Sequence, residues 1–231
     1  MNYIEIKAER ELSGAIKDVF RRIKINTEFS GKGQRSICVT SSASSEGKST
    51  LTFGLAQAFA EDQGRNVLLV DADIRRSYLS QRLGYSKELK GLSECITEKL
   101  DVVDAIYKTN IDGLFITPSG RLTENSTQLF KRDRFKNYLE ETKKAFDMVI
   151  IDTPPIGYVV DAAIIASLAD ASIMVVAANT VSRKDIKRNI LELKKANENF
   201  LGIIFNKARE EKEGYYKKYY QYYRGGINNA K

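Results

Sequence analysis

Six short, almost unbroken apolar runs recur along the chain: "RSICVTSS", "RNVLLVDAD", "DGLFITPSG", "FDMVIIDTPP", "ASIMVVAAN" and "NFLGIIFNK". A strand buried on both faces reads as such a run, whereas a strand with one wet face alternates. Between the runs lie helical patterns: "STLTFGLAQAFAEDQG", closed by Gly64, "QLFKRDRFKNYLEETKKA", "DAAIIASLAD" and "SRKDIKRNILELKKANE". Strand and helix in alternation predict an α/β domain whose mostly parallel central sheet is covered by helices on both faces. Residues 77–110 read as helical or irregular. An amphipathic helix over 8–29, with Leu12, Ala15, Ile16, Val19, Phe20 and Ile23 on its apolar stripe, opens the chain, and "GKGQ" breaks it. The expected organisation is an N-terminal helical segment (1–34), one core domain (35–207) and a polar C-terminal tail (208–231) without core periodicity.

The chain has no histidine. That excludes Ser-His-Asp hydrolysis, histidine zinc sites and a histidine base, so proton transfer falls to carboxylate, lysine or tyrosine. Cys38 and Cys95, both in apolar patterns, read as buried thiols rather than a disulfide or metal site. No apolar run is long enough for a membrane span and no signal-peptide core opens the chain, so a cytoplasmic protein is expected. The net charge of +7 could suit nucleic acid or an anionic membrane surface, but charge alone favours the plainer reading, solubility.

The segment "TSSASSEGKST", residues 40–50, resembles the phosphate loop G-x-x-x-x-G-K-[ST] with Ser42 in place of the first glycine. It lies between an apolar strand and a helix, as such a loop requires, which makes the core a candidate P-loop NTPase. Ser45, Glu46, Gly47, Lys48, Ser49 and Thr50 are the candidate nucleotide contacts. Backbone N–H groups would cradle phosphate, Lys48 would reach the β- and γ-phosphates, and the Ser49 hydroxyl would ligate Mg²⁺. Without the glycines, a residue forced to positive φ costs on the order of 1 kcal/mol. Asp71 and Asp73 in "LLVDADIR" and Asp152 in "MVIIDTPP" end two further strands, where open α/β sheets place their chemistry. Carboxylates there need partners, which a divalent cation and a reacting hydroxyl provide.

The guanine signature Asn-Lys-x-Asp is incomplete. "FNKAR" supplies Asn206, a further candidate nucleotide contact, and Lys207, but Arg209 stands where the aspartate belongs, which favours ATP. Partitioning ATPases carry a second lysine at the position of Ala43, and iron–sulfur-carrier ATPases carry paired cysteines. Both remain alternatives that these residues disfavour. A nucleic-acid module would account for a basic, aromatic tail and leave the three aspartates unexplained, so no nucleic acid is expected.

Together, "SEGKST", "LLVDADIR", "VIIDTPP" and a C-terminal tyrosine cluster resemble the bacterial tyrosine kinases of capsule and exopolysaccharide synthesis. The similarity is to the stand-alone cytoplasmic type, whose membrane-spanning half is a separate protein. The resemblance implies ATP and Mg²⁺ as cofactors, with Lys48 and Ser49 on phosphate and metal. It also implies Asp71 as the acid that takes the proton of the attacking tyrosine, and Asp73 and Asp152 as holders of the magnesium. "DVFRRIK" is similar to the family's Glu-x-x-Arg-x-x-Arg element, as Asp18, Arg21 and Lys24, which in relatives contacts a neighbouring subunit in a ring. A membrane-anchored polysaccharide co-polymerase or adaptor, whose cytoplasmic tail activates the kinase, is the implied partner. The protein would thus sit at the inner face of the membrane. Where the family has a proline-glycine inside the phosphate loop this chain has Ser44-Ser45, and "GRLTENST" keeps Asn125 but no proline.

The tail "EGYYKKYYQYYRGG" holds Tyr215, Tyr216, Tyr219, Tyr220, Tyr222 and Tyr223, half of the chain's 12 tyrosines. It reads as a phosphoryl acceptor, modified mainly between subunits. Each phosphate adds about −1.5 to −2 charge, so repeated transfer would turn a basic tail acidic. Arg183, Lys184, Lys187 and Arg188 make one basic helix face, either solvated or a dock for an acidic partner.

Overall fold

The structure is a computed structural model that describes residues 2–7, 14–30, 33–86 and 88–208. The six tail tyrosines and residues 8–13 of the expected first helix lie outside the described residues. The chain opens with β1 (Asn2–Ile4) and α1 (Gly14–Ser30), then β2 (Ser36–Ser41), α2 (Lys48–Ala60) and β3 (Val67–Asp71). Short helices α3 (Tyr78–Leu83) and α4 (Leu92–Ile96) lead to β4 (Tyr107–Thr109) and β5 (Leu114–Thr117). The second half runs α5 (Ser126–Phe130), α6 (Asp133–Ala145), β6 (Met148–Asp152), α7 (Asp161–Leu168), β7 (Ala171–Ala177), α8 (Arg183–Ala196) and β8 (Phe200–Asn206).

The strands form one sheet in the order β1-β4-β5-β3-β6-β2-β7-β8, parallel throughout except between β4 and β5. All six apolar runs are strands, and β2, β3, β6 and β7 are buried along their full length, as the absence of alternation requires. One face packs on α1, α2 and α3 through Phe53, Leu55, Phe59, Leu79 and Leu83. The other packs on α4 to α8 through Cys95, Phe130, Tyr138, Ile165 and Leu193. Helix α1 meets α2 where the Phe20 ring lies against Gly54, in space that a Cβ would need, at 2.2 Å. Both cysteines are free, and burial pushes each thiol up to about 12, so they are unreactive core residues. Among the described residues, no helix is long and apolar enough to cross a membrane.

Three expectations need correction. The N-terminal segment is not only helical, because Asn2–Ile4 pairs in parallel with Tyr107–Thr109 at the sheet edge. The stretch 77–110 accordingly contains a strand. Elements of three residues carry no legible period, and this pair meets across roughly a hundred positions of sequence. The single helix expected over 128–145 is two, because Arg132 is extended (φ −75°, ψ 145°) and α6 starts afresh at Asp133.

Candidate active site

Register brings the acids together. In the parallel ladder of β3 and β6, Asp71 stands directly opposite Asp152, and Asp152 in turn faces Val39 of β2, just before the loop. Adjacent strands lie about 4.8 Å apart, so two carboxylates share the floor of one site. Burial first, and then the charge of Asp152, push the Asp71 carboxyl up to about 7. Asp71 Oδ2 accepts the Ser77 hydroxyl at 2.7 Å and the Tyr85 hydroxyl at 3.2 Å, while Oδ1 takes only a long contact from the Asp73 N–H at 3.3 Å. Burial also raises Asp73, whose Oδ1 accepts the Arg76 N–H at 3.2 Å.

The loop is built without its usual glycines at the cost of one strained residue. Ser45 adopts φ 62°, and Gly47 adopts φ 87°, where an added Cβ would sit 2.3 Å from Asn206 Nδ2. Lys48 Nζ donates to Asp152 Oδ1 at 2.6 Å, Ser49 Oγ to Asp152 Oδ2 at 2.7 Å, and Thr52 Oγ1 to Asp152 Oδ1 at 3.0 Å. Ser49, Asp73 and Asp152 offer the hard oxygen donors that Mg²⁺ prefers. Among the described residues, no cluster of three or more acidic or thiol side chains is set to hold a metal alone. That suits Mg²⁺, which keeps waters and substrate phosphates around one or two carboxylates. The donor set fits the magnesium nucleotide.

A cavity of about 1350 Å³ opens above this floor. Ser45, Gly47, Lys48, Ser49, Thr50 and Asp73 line it, as does Asn125 on the far rim. Asp71 and Asp152 are at most 1% exposed and lie beneath it. The side chains of two expected nucleotide contacts, Glu46 and Asn206, turn inward, so Glu46 can meet phosphate only through its backbone N–H. The Glu46 carboxylate accepts the N–H groups of Ala43 (2.7 Å) and Ala177 (3.0 Å) and the Thr180 hydroxyl (2.8 Å). Asn206 Nδ2 donates to the Glu46 carbonyl at 2.8 Å, and Lys207 Nζ to that of Ser45 at 2.8 Å. Both residues shape the loop from behind. Of the N-terminal trio, Asp18 and Arg21 pair with each other and Arg21 with Glu61 at 3.1 Å, while Lys24 pairs with Asp62 and is 8% exposed.

Two arrangements were not legible in the sequence. Arg75 Nε donates to the buried Asp161 at 2.9 Å, and Ser126 and Thr127 donate to the same carboxylate, so β3, α5 and α7 are tied together at the cavity wall. Burial opposes the Asp161 charge, but these donors outweigh it and hold the carboxyl below its ordinary value. Position 161 starts a helix, and only the fold brings 75, 126 and 127 to it. The second arrangement concerns Ser42, which stands where a glycine was expected. Asn189 of α8, 2% exposed, donates Nδ2 to Ser42 Oγ at 3.3 Å, and Gly157 leaves the room, since a Cβ there would lie 2.2 Å from the Ser42 carbonyl. The pair should behave as a unit. Asn189→Ala and Ser42→Gly should each weaken nucleotide binding severalfold, and the double variant should lose less than the sum, a coupling of about 1 kcal/mol. Strict additivity in nucleotide titrations would show that the contact does no positioning.

The chain matches the AAA domain family over residues 34–204. It is 39% identical over 194 residues to the tyrosine-protein kinase CpsD of Streptococcus agalactiae, covering 84% of each chain. The fold superposes on the crystal structure of the chimerical protein CapA2B2 with a TM-score of 0.82 at 26% identity, over 91% of this chain and 95% of that one. The septum site-determining protein MinD of Pyrococcus horikoshii, complexed with Mg-ADP, reaches 0.64 at 28% identity over 77% and 72%. The sheet is thus common ground with such ATPases, and the likeness to the kinases extends further along the chain.

Proposed function

This chain belongs to the bacterial tyrosine-protein kinases built on an AAA domain, and from that premise we propose that it transfers phosphate from MgATP to its own C-terminal tyrosines, mainly between subunits. The observation that carries this reading is the cavity. Its near rim is the phosphate loop, Asp73 lines it with Asp71 and Asp152 buried beneath, and at about 1350 Å³ it exceeds the 300–1,000 Å³ that a small ligand usually takes. A nucleotide leaves room for a peptide.

Bound MgATP would supply the γ-phosphoryl group and a metal charge to neutralise it. The chain does the rest by position and charge. Loop N–H groups and Lys48 orient the phosphates, and Ser49, Asp73 and Asp152 hold the ion. Asp71 takes the phenolic proton through Oδ1, the oxygen that the Ser77 and Tyr85 hydroxyls leave uncommitted. With its carboxyl raised to about 7, that group is a stronger base than an ordinary aspartate. The proton must reach it from above, because Asp71 lies under the cavity rather than on its wall.

By kinship with the relatives named above, the setting we infer is capsule or exopolysaccharide synthesis, with a membrane-anchored partner whose cytoplasmic tail activates the kinase. Asp18 and Arg21, with side chains 55% exposed, remain available for a ring contact, whereas Lys24 is committed to Asp62. Exposed Val19 and Ile25 on the same helix would add apolar area. One preparation tests these points. Phosphate from labelled ATP should appear on tyrosine, faster when the partner's cytoplasmic peptide is added, and alanines at Asp18 and Arg21 should shrink the particle seen by light scattering. Nucleotide hydrolysis without phosphotyrosine would favour a plain ATPase, and a parent that is monomeric throughout would remove the ring.

A further inference from the structure

The cavity wall around α3 carries cations that no carboxylate among the described residues pairs with. Arg75 is neutralised by Asp161 and Lys48 by Asp152. Lys7, Arg76 and Arg82 also line the cavity, and among the described residues none of the three forms an ion pair with a carboxylate. Arg76 makes only a long contact to the Tyr78 hydroxyl, at 3.4 Å. Arg76 and Arg82 stand on and beside α3, which follows β3, and the loop follows β2. With β6 between them, β3 and β2, from whose ends α3 and the loop follow, lie two strand spacings apart, roughly 10 Å.

The sequence of the tail supplies the other half. Its tyrosines come as adjacent pairs, Tyr215-Tyr216, Tyr219-Tyr220 and Tyr222-Tyr223, among Lys217, Lys218 and Arg224. Adjacent side chains of an extended segment point to opposite sides. An extended tail with one tyrosine of a pair turned towards the phosphates would turn the neighbour away from them, where the wall could meet it. An unmodified tail brings positive charge to a positive wall, whereas a phosphate on the neighbour brings a doubly charged anion to guanidinium groups that bind such oxygens well.

Resting on the reading of the tail as acceptor, we infer that Arg76 and Arg82, with Lys7, form a phosphotyrosine subsite that makes the second transfer within a pair faster than the first. The step is ordinary phosphoryl transfer. The tyrosine oxygen bonds to the γ-phosphorus, the bond to the β-phosphate oxygen breaks, ADP leaves, and the phenolic proton passes to a carboxylate. Tail phosphorylation then advances in pairs.

The test gives the full-length protein two peptides spanning residues 213–218 that differ only at position 215, phenylalanine in one and phosphotyrosine in the other, so that Tyr216 is the sole acceptor in each. Transfer to Tyr216 should have a kcat/KM about tenfold higher with the phosphorylated neighbour, mostly through KM. Arg76→Gln with Arg82→Gln should bring the ratio close to one, and high salt should do the same in the parent protein, which keeps the test decisive if the double variant folds poorly. Equal transfer to the two peptides in the parent overturns the inference alone. No transfer to either overturns the assignment of the tail as acceptor, and the inference with it.

Discussion

Lys48→Met is expected to lower the rate of tyrosine phosphorylation by at least about 10²-fold, as removal of a donor aimed at developing charge does elsewhere. The structure adds a second consequence. Lys48 Nζ lies 2.6 Å from Asp152 in a pair almost closed to solvent, with side chains 8% and 1% exposed. Methionine leaves that carboxylate with the Ser49 and Thr52 hydroxyls only, and breaking a buried pair from one side costs about 3 kcal/mol. The variant should therefore melt earlier as well as lose activity, and the assay belongs well below its melting temperature. Lys48→Arg keeps a cation beside Asp152 without the compact ammonium, so it should recover more stability than rate. Phosphotyrosine formed at the parental rate by folded Lys48→Met would remove Lys48 from the chemistry.

The second large effect is at Asp71. Asp71→Asn should lower transfer by about 10²- to 10⁴-fold, the usual worth of a positioned base, and should at the same time stabilise the nucleotide-free, metal-free fold at alkaline pH. The sign follows from the raised carboxyl. An acid at about 7 in the fold and 3.8 outside it binds its proton more tightly when folded, so its ionisation opposes folding. The parent loses stability from this group as pH climbs from about 4 through 7, and asparagine does not. The gap between variant and parent should grow across that window and level off above it, at a few kcal/mol. Asparagine can still accept the Ser77 and Tyr85 hydroxyls through its carbonyl, so packing is kept. Denaturant melts from pH 4 to 9 check this, and a variant less stable than the parent at pH 8 would mean that Asp71 is a structural anion rather than a suppressed base.

The sheet and its chemistry were legible where the signal was local. Unbroken apolar runs marked the strands, and acids at the ends of two of them, with Gly47-Lys48-Ser49 after a third, pointed to residues that the fold brings together as the candidate site. What escaped was set by tertiary contact. Strands β1 and β4 are three residues each and are defined by their pairing. The side-chain partners of Glu46 and Asn206 were not legible either, since the fold turns the first side chain towards Ala177 and Thr180 and the second towards the loop carbonyl. Lys24 carried its charge in the right register for a surface contact, and Asp62 claims it. Asp161 and Asn189 had no motif at all, because their partners lie far from them in sequence.

The measurement that bears most directly on the account is a mixing experiment. From Lys207, whose Nζ lies 2.8 Å from the Ser45 carbonyl of the phosphate loop, to Tyr215 there are eight steps, which extend to roughly 26–29 Å at most, a reach that allows its own cavity as well as a neighbour's, so mixing is what separates the two routes. Asp71→Asn protein with all six tail tyrosines is combined with protein that has an intact site and no tail tyrosines, and both are given ATP and Mg²⁺. The account predicts phosphate on the tail of the Asp71→Asn chains, at a rate that rises with the concentration of the other. Phosphate absent from that tail at every ratio, while the unaltered protein modifies itself, would contradict transfer between subunits at this site.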